Sequence, residues 1–145
     1  MRDIFCTIGH ANWSLRTGKQ VIAMHAHEQI NYVEFPANDL ERTKAFFETA
    51  FGWSFVDYGS EYAAFSDQGL DGGFYKSDLK ATTDRGSALI VLFSESLEET
   101  QAKVMSAGGQ IVRPIFPFPG GRRFHFIEPS GNELAVWGET RPSDL

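Results

Sequence analysis

Hydrophobic and polar positions along the chain follow one pattern twice. Short apolar runs typical of β-strands occupy residues 30–35 and 88–93, and each precedes a segment with helical spacing of apolar residues. Further strand-like stretches follow each helix, at residues 53–58, 62–65 and 72–76 in the first half and at 110–114, 123–127 and 133–137 in the second. The pattern therefore predicts two successive units, each made of a strand, a helix and three strands.

The two predicted helices also match in sequence. Residues 38–47 align with residues 95–104 at a shift of 57 positions, and Leu, Glu, Thr and Ala recur in register. Since self-similarity at a fixed shift indicates repeated structural units, the match supports an internal duplication. The alternative is an α+β domain in which two unrelated helices resemble each other by chance.

Signals for helix ends occur at equivalent places in the two halves. Asn38 with Glu41, and Ser96 with Glu99, have the spacing of a capping box, in which a side-chain oxygen and an acid satisfy free backbone N–H groups. Glycines that tolerate positive φ stand at the predicted C-terminal caps, at Gly52 and Gly108.

The patterned sequence predicts one domain rather than two. A unit of about 50 residues buries too little surface to be stable alone, so the two units should share a core. We expect module one at about 30–76 and module two at about 88–138, within a single domain at 24–145. Residues 1–23 show no clear period, and we interpret them as a loosely attached extension, or as an upstream start with Met24 the functional one.

Composition excludes several classes of function. The net charge of −6 is unfavourable for binding nucleic acid or an anionic membrane, and no apolar run approaches the roughly 18 residues of a membrane span. The single cysteine, Cys6, excludes an internal disulfide, which fits a cytoplasmic protein. The 13 Phe, 4 Tyr and 3 Trp residues exceed what a small core needs, and such an excess often lines a cleft or a subunit interface.

Two stretches carry a resemblance to a known family. They are residues 34–42 (EFPANDLER), with FF at 46–47 and FGW at 51–53, and residues 126–132 (FIEPSGN), with AVW at 135–137. The chain resembles the vicinal oxygen chelate superfamily, which includes glyoxalases, bleomycin-resistance proteins, fosfomycin-resistance enzymes and extradiol dioxygenases. Glu128 replaces the Asp that is usual in the second stretch. The resemblance implies an α+β fold in which two βαβββ modules form a curved mixed sheet around a central cleft.

The resemblance also indicates where metal ligands, usually His and Glu, would stand. In this chain those positions fall on Tyr32, on Leu89, on Ala135 and near Gly73 or Phe74. Glu34 and Glu133 lie two residues from the expected positions, about 6.6 Å along their strands. A divalent site needs three or four converging N or O ligands, so we expect no metal and no other cofactor.

Glu34 and His125 are the candidate catalytic residues. Glu34 interrupts an apolar strand and is predicted to hold a polar ligand group, to act as a base, or simply to pair with an Arg or Tyr side chain. If the turn at 129–132 sets the usual register, His125 shares the cleft face with Ala135, whereas a one-residue slip would bury His125 under a helix. The pair His25 and His27 is interpreted as part of a solvated tail.

The segment at 113–121 combines three prolines with Phe116 and Phe118. It predicts a semi-rigid lid over the cleft, or a surface that packs against a second subunit or the extension. Arg122 and Arg123 follow and would bind an acidic group at the cleft mouth, or form ordinary ion pairs. No phosphate-binding loop and no Ser or Cys nucleophile motif occurs in the sequence.

These observations favour a metal-free protein that binds a small apolar or aromatic molecule in its central cleft, as a cytoplasmic homodimer without nucleic-acid or membrane partners. The alternative is a glyoxalase-type lyase, isomerase or epimerase with an atypical metal site or none. A third class is an accessory module whose aromatic face meets another protein. The predicted ligand-binding residues are Tyr32, Glu34, Tyr62, Phe74, Leu89, Val91, His125, Ala135 and Trp137.

Overall fold

The computed structural model describes residues 25–144, so the extension predicted for residues 1–23 lies outside the described residues. Module one contains β1 (Tyr32–Ala37), α1 (Leu40–Phe51), β2 (Phe55–Asp57), β3 (Tyr62–Gln68) and β4 (Leu70–Lys76). Module two contains β5 (Ile90–Phe93), α2 (Leu97–Ser106), β6 (Gln110–Phe118), β7 (Gly121–Ile127) and β8 (Glu133–Gly138). Short 3₁₀ turns lie at Thr83–Arg85 and Pro142–Asp144.

The strands form two mixed four-stranded sheets with the same connectivity. Their orders are β1-β4-β3-β2 and β5-β8-β7-β6. The first and last strands of each module pair in parallel, and the remaining neighbours pair antiparallel. The α+β fold of two βαβββ modules predicted from the sequence is therefore confirmed.

The helix ends follow the predicted signals with two shifts of one residue, and in one of them the C-cap of α2 is Ala107 rather than Gly108. The cap of α1 is Asp39, whose Oδ1 accepts a hydrogen bond from the Arg42 N–H at 3.0 Å, so the prediction of Asn38 was wrong by one residue. Ser96 stands at the N-cap of α2, but its side chain makes no capping bond, and its own N–H donates to the Ser94 hydroxyl at 3.0 Å. Gly52 ends α1 in the left-handed region at φ 73°, as predicted.

A single aromatic core joins the modules. The ring of Phe46 on α1 lies 5.6 Å from that of Phe126 on β7, and both side chains are buried. Val104 of α2 belongs to the same cluster of buried residues. The helices thus pack on one face of each sheet and share their apolar contacts, as expected for units too small to be stable alone.

The FIEPSGN stretch is a turn that ties module two to module one. The Asn132 side chain donates to the Pro36 carbonyl at 2.6 Å, and its Oδ1 accepts from the Ala81 N–H at 2.9 Å. The Thr43 hydroxyl of α1 lies within hydrogen-bond distance of the Glu128 carboxyl, at 3.0 and 3.2 Å, and of the Ser130 hydroxyl, at 2.7 Å. This motif therefore serves the assembly of the domain rather than the cleft.

The segment predicted as a loop at 113–121 is instead part of a hairpin. Strand β6 continues to Phe118, and β7 begins at Gly121. Two register shifts around Arg113 bend the strand, and β6 lies at the edge of its sheet. Because an edge strand tolerates residues without an N–H, the prolines do not end it.

Candidate functional site

In module one, the sheet face turned away from α1 is formed largely by tyrosines. Tyr32 and Glu34 alternate with the core residue Phe35 along β1, and Glu34 is in register with Gly73 of β4. Tyr62 of β3 lies on the same face, and Tyr58 and Tyr75 pack against it. We call Tyr32, Glu34, Tyr58, Tyr62, Gly73 and Tyr75 the tyrosine face; it contains all four tyrosines of the chain.

A chain of hydrogen bonds crosses the tyrosine face. The Tyr62 hydroxyl donates to the Glu34 carboxylate at 2.8 Å, and the Tyr32 and Tyr62 hydroxyl oxygens are 2.6 Å apart. Since Tyr62 has one hydroxyl proton and gives it to Glu34, its oxygen accepts from Tyr32. Burial raises the pKa of both phenols, and the neighbouring Glu34 charge raises them further. The face therefore presents neutral tyrosines around an exposed carboxylate.

Of the two residues expected near the metal-ligand position of module one, Gly73 and Phe74, only Gly73 lies on the face of Glu34. A Cβ at this residue would lie 2.3 Å from the Tyr62 hydroxyl oxygen, so the tyrosine side chain fills the space above the glycine. Phe74, predicted as a cleft residue, is fully buried on the opposite face and stacks on Phe35 at 5.3 Å. That prediction was wrong because side chains alternate along a strand, and a one-residue error moves a residue to the other face.

In module two, the face turned away from α2 carries the histidine. His125 of β7 is in register with Ala135 of β8, which is in register with Val91 of β5. Arg123 and Trp137 form the next pair on this face. The register predicted for His125 from the turn at 129–132 is confirmed, because the flanking Phe124 and Phe126 point into the core.

His125 is held by a carboxylate from the neighbouring strand. Its Nδ1 lies 2.8 Å from Glu133, whose other oxygen accepts from the Thr83 N–H and hydroxyl, both at 2.8 Å. Desolvation raises the pKa of Glu133, but the hydrogen bonds from His125 and Thr83 outweigh it and hold the pKa below its usual value. The carboxylate thus accepts a hydrogen bond from Nδ1–H, and in the neutral ring Nε2 keeps a lone pair. Nε2 is buried and has no partner within residues 25–144.

Aromatic rings and arginines surround this histidine. The Phe116 ring lies 5.8 Å from the His125 ring, and the guanidinium of Arg113 lies 3.9 Å from the Phe116 centroid. The guanidinium of Arg123 lies 5.4 Å from the centroids of both Phe116 and Phe118. We call Val91, Phe116, Phe118, Arg123, His125, Ala135 and Trp137 the arginine face.

Leu89 and Val91, also predicted in the cleft, lie along the outer edge of the second sheet. Leu89 immediately precedes β5, and both residues line a cavity of about 610 Å³ between β5 and the core residues Val33 and Phe35 of β1. Val91 additionally lines a recess of about 320 Å³ beside Trp137. The predicted residues are thus divided: Leu89, Val91 and Trp137 line the two pockets, Tyr32, Glu34 and Tyr62 lie on the tyrosine face, and His125 and Ala135 lie on the arginine face outside both pockets.

The residues at the expected metal positions do not fit a divalent cation. Tyr32, Gly73 and Ala135 together offer one neutral phenol, whereas such a site needs three or four N or O ligands. In the described part of the chain, residues 25–144, no three His, Cys, Asp or Glu side chains lie close enough to share an ion. His25 and His27 are exposed, and His27 pairs with Glu28 at 2.6 Å.

Sequence reasoning missed one partner in the site and assigned another to the wrong kind of segment. Glu133 was treated only as a displaced metal ligand, although the hairpin around 129–132 brings it next to His125. Phe116 was expected in a lid or a packing surface, whereas the structure places it in β6, with its ring 5.8 Å from that of His125. The bulges that keep Phe116 in the strand leave no clear trace in the alternation.

Comparison with known proteins identifies the family. The sequence profile of the Glyoxalase/Bleomycin resistance protein/Dioxygenase superfamily matches residues 29–136. No curated protein matches the sequence significantly. None of the helices in residues 25–144 is long and apolar enough to cross a membrane.

Solved structures resemble the chain at low sequence identity. A glyoxalase-related enzyme from Fulvimarina pelagi has a TM-score of 0.66 at 19% identity and covers 77% of this chain and 88% of its own. The fosfomycin resistance protein FosX from Listeria monocytogenes has a TM-score of 0.65 at 19% identity, over 83% and 100% of the two chains. A lactoylglutathione lyase from Agrobacterium tumefaciens has a TM-score of 0.60 at 15% identity, over 79% and 96%. At these identities the likeness shows the fold alone.

Proposed function

The chain belongs to the glyoxalase/bleomycin resistance protein/dioxygenase superfamily, and from that premise we propose that it binds a small, largely apolar or aromatic molecule without a metal ion. The molecule would lie in the central cleft, against the tyrosine face and the arginine face. The observation that carries this proposal is Gly73, whose ligand position is filled by the Tyr62 side chain. A cleft with its metal positions occupied by neutral and apolar groups is suited to binding rather than to Lewis-acid chemistry.

The walls of the site support an apolar or aromatic ligand. We propose Tyr32, Glu34, Tyr62, Leu89, Val91, His125, Ala135 and Trp137 as ligand-binding residues, with Gly73 in place of Phe74. Aromatic side chains supply large contact areas at a low cost in conformational entropy, and the few polar groups fix the orientation of a ligand. We also propose a homodimer, since the edge strand β5 exposes Phe93 by 53%, and a cytoplasmic location, since the sequence has a single cysteine.

The proposal is tested by elemental analysis of tag-free protein and by calorimetric titration with a panel of planar aromatic molecules. We expect no stoichiometric metal and at least one ligand that the substitution Val91→Asp weakens about tenfold, since a charge would enter an apolar wall. Val112→Asp is the matched control, because Val112 is equally exposed at 40% but lies outside both pockets. Stoichiometric metal, or equal effects of the two substitutions, would contradict the proposal.

A second candidate function is catalysis of the lyase, isomerase or epimerase type, with His125 as proton acceptor. The observation that favours it is the orientation of the imidazole by Glu133, which leaves Nε2 as the basic atom. Turnover of a hydroxy- or oxo-carbonyl substrate should then disappear in His125→Ala and Glu34→Gln while circular dichroism shows the fold retained. Turnover that survives both substitutions would exclude these residues as catalysts.

A further inference from the structure

We infer that the molecule bound at this site is an anion, a small planar aromatic carboxylate whose acidic group binds Arg123. The inference rests on the proposed function and adds the charge and the shape of the ligand.

Arg123 is a half-buried cation without a carboxylate partner among the described residues 25–144. Its guanidinium contacts only the rings of Phe116 and Phe118, and its Nε atom is buried without a hydrogen bond. Taking a charged group out of water is costly unless it is paired and hydrogen-bonded. The contacts with the aromatic rings offset part of the desolvation cost of the guanidinium, and its N–H groups remain available to a hydrogen-bond acceptor.

The adjacent Arg122 shows that an arginine of β7 can be paired with an acidic residue of the same chain. Arg122 points to the other face of β7 and binds Glu98 of α2 through two nitrogen atoms, at 2.5 and 3.3 Å. The protein has 19 acidic residues and a net charge of −6, so acids are not scarce. Glu133, which lies on the same face of the sheet, is occupied by His125 and Thr83. The arginine face thus has a cation for which residues 25–144 provide no counter-charge.

A recess beside Arg123 has the size and the walls for such a ligand. It measures about 320 Å³ and is lined by Val91, Phe118, Gly120, Arg123 and Trp137. This volume is at the small end of the roughly 300–1,000 Å³ that is usual for ligand pockets. The Phe118 and Trp137 rings lie 6.3 Å apart and provide aromatic walls, so a planar body is favoured. A guanidinium fork binds planar oxyanions in two parallel hydrogen bonds, and a carboxylate is the one that fits in the plane of a flat aromatic body in so small a recess.

The inference is tested by calorimetric titration of the full chain with 2-naphthoate and with its neutral analogue 2-naphthamide. We expect the naphthoate to bind about tenfold more tightly than the amide, because hydrogen bonds to charged groups are worth more than neutral ones. Arg123→Gln should remove this preference while leaving the affinity for the amide within about twofold. Arg123→Lys, which keeps the charge but not the fork, should give an intermediate affinity for the naphthoate.

Arg113→Gln is the matched control, since Arg113 also stacks on Phe116 but does not line the recess. It should leave the preference for the naphthoate unchanged, and thermal unfolding should show that each variant is folded. Equal affinity of the wild type for both compounds overturns the inference while leaving the proposed function intact. Equal losses in Arg113→Gln and Arg123→Gln also overturn it, since the preference would then be an effect of general charge. If neither compound binds, the inference is also overturned. The titrations of the wild type and Val91→Asp with the panel of aromatic molecules then test the proposed function separately.

Discussion

Because Gly73 has no side chain, the Tyr62 phenol lies directly over it, and this position allows the hydrogen bonds of the tyrosine face. The ring lies against the backbone of β4, where a Cβ would meet its hydroxyl oxygen at 2.3 Å. From this place the hydroxyl reaches both Tyr32 and Glu34. A glycine within a strand normally weakens it, so its presence here fits the close approach of another group.

Gly73→Ala should therefore destabilise the protein by about 1–3 kcal/mol, because the added methyl group forces the tyrosine side chain out of its place. In a Tyr62→Ala background the same substitution should cost less than about 0.5 kcal/mol, since the clash is gone and alanine is the better strand residue. Urea unfolding of the four proteins in this double-mutant cycle measures both costs. Equal costs in the two backgrounds would show that Tyr62 does not occupy the space above Gly73.

At the scale of single elements, α1 shows how local chemistry sets a boundary. Asp39 caps its first turn, and Gly52 ends it in the left-handed region. The backbone N–H of Gly52 reaches the carbonyls of Glu48 and Phe47, which satisfies acceptors that the helix leaves open. The chain then enters the core at Trp53, whose ring stacks on that of Phe47 at 4.5 Å.

Gly52→Ala should cost about 1–2 kcal/mol in unfolding free energy, since a left-handed φ is unfavourable for residues with a Cβ. No heavy atom lies within 4 Å of the position that this Cβ would take, so the cost is conformational and not steric. Gly52→Asn serves as the control and should cost about half as much, because asparagine tolerates this region better. Thermal denaturation of the two variants compares them, and equal costs would argue against the conformational explanation.

At the scale of the whole molecule, the buried carboxyl of Glu128 joins the two modules. Burial raises its pKa to about 7, although hydrogen bonds from the Ser130 N–H and from Thr43 act in the opposite direction. Thr43 belongs to α1 of module one and Glu128 to the turn of module two. The contact between the modules is therefore linked to a protonation equilibrium.

The sign of the pH dependence follows from the raised pKa. Between about 4.5, its ordinary value, and about 7 the native state binds more protons at Glu128 than the unfolded state, so this group's contribution to stability falls as pH rises through that range. The full difference is about 3 kcal/mol, an upper bound since the native site relaxes and takes up water when the carboxyl ionises. Glu128→Gln should remove this dependence. The difference in unfolding free energy between the wild type and the variant should therefore decline between about pH 5 and about pH 8.

Urea unfolding at several pH values measures this difference. Glu48→Gln, at an exposed position of α1, is the control. A difference between the wild type and Glu128→Gln that does not change with pH would refute the linkage.

Errors of the sequence predictions occur where a choice depends on contacts between strands. The helix cap moved from Asn38 to Asp39 because both side chains can cap, and the local geometry selects one. Phe74 was assigned to the cleft because the module-one register was known only to within a residue. Strand β6 was ended too early because its bulges and prolines hide the alternation that marks a strand.

The sequence by itself determined the two repeated βαβββ units and the order of their elements along the chain, and it narrowed His125 to two alternatives, of which the structure selected the face shared with Ala135. Hydrophobic periodicity, caps and turn residues are local properties, and they suffice for elements and for register within a hairpin. Only the tertiary structure decided that Tyr62 covers Gly73, that Glu133 orients His125, and that Arg123 finds no counter-charge among residues 25–144. These relations join residues from different strands and turns, and their energies depend on burial and on partners that no local pattern encodes.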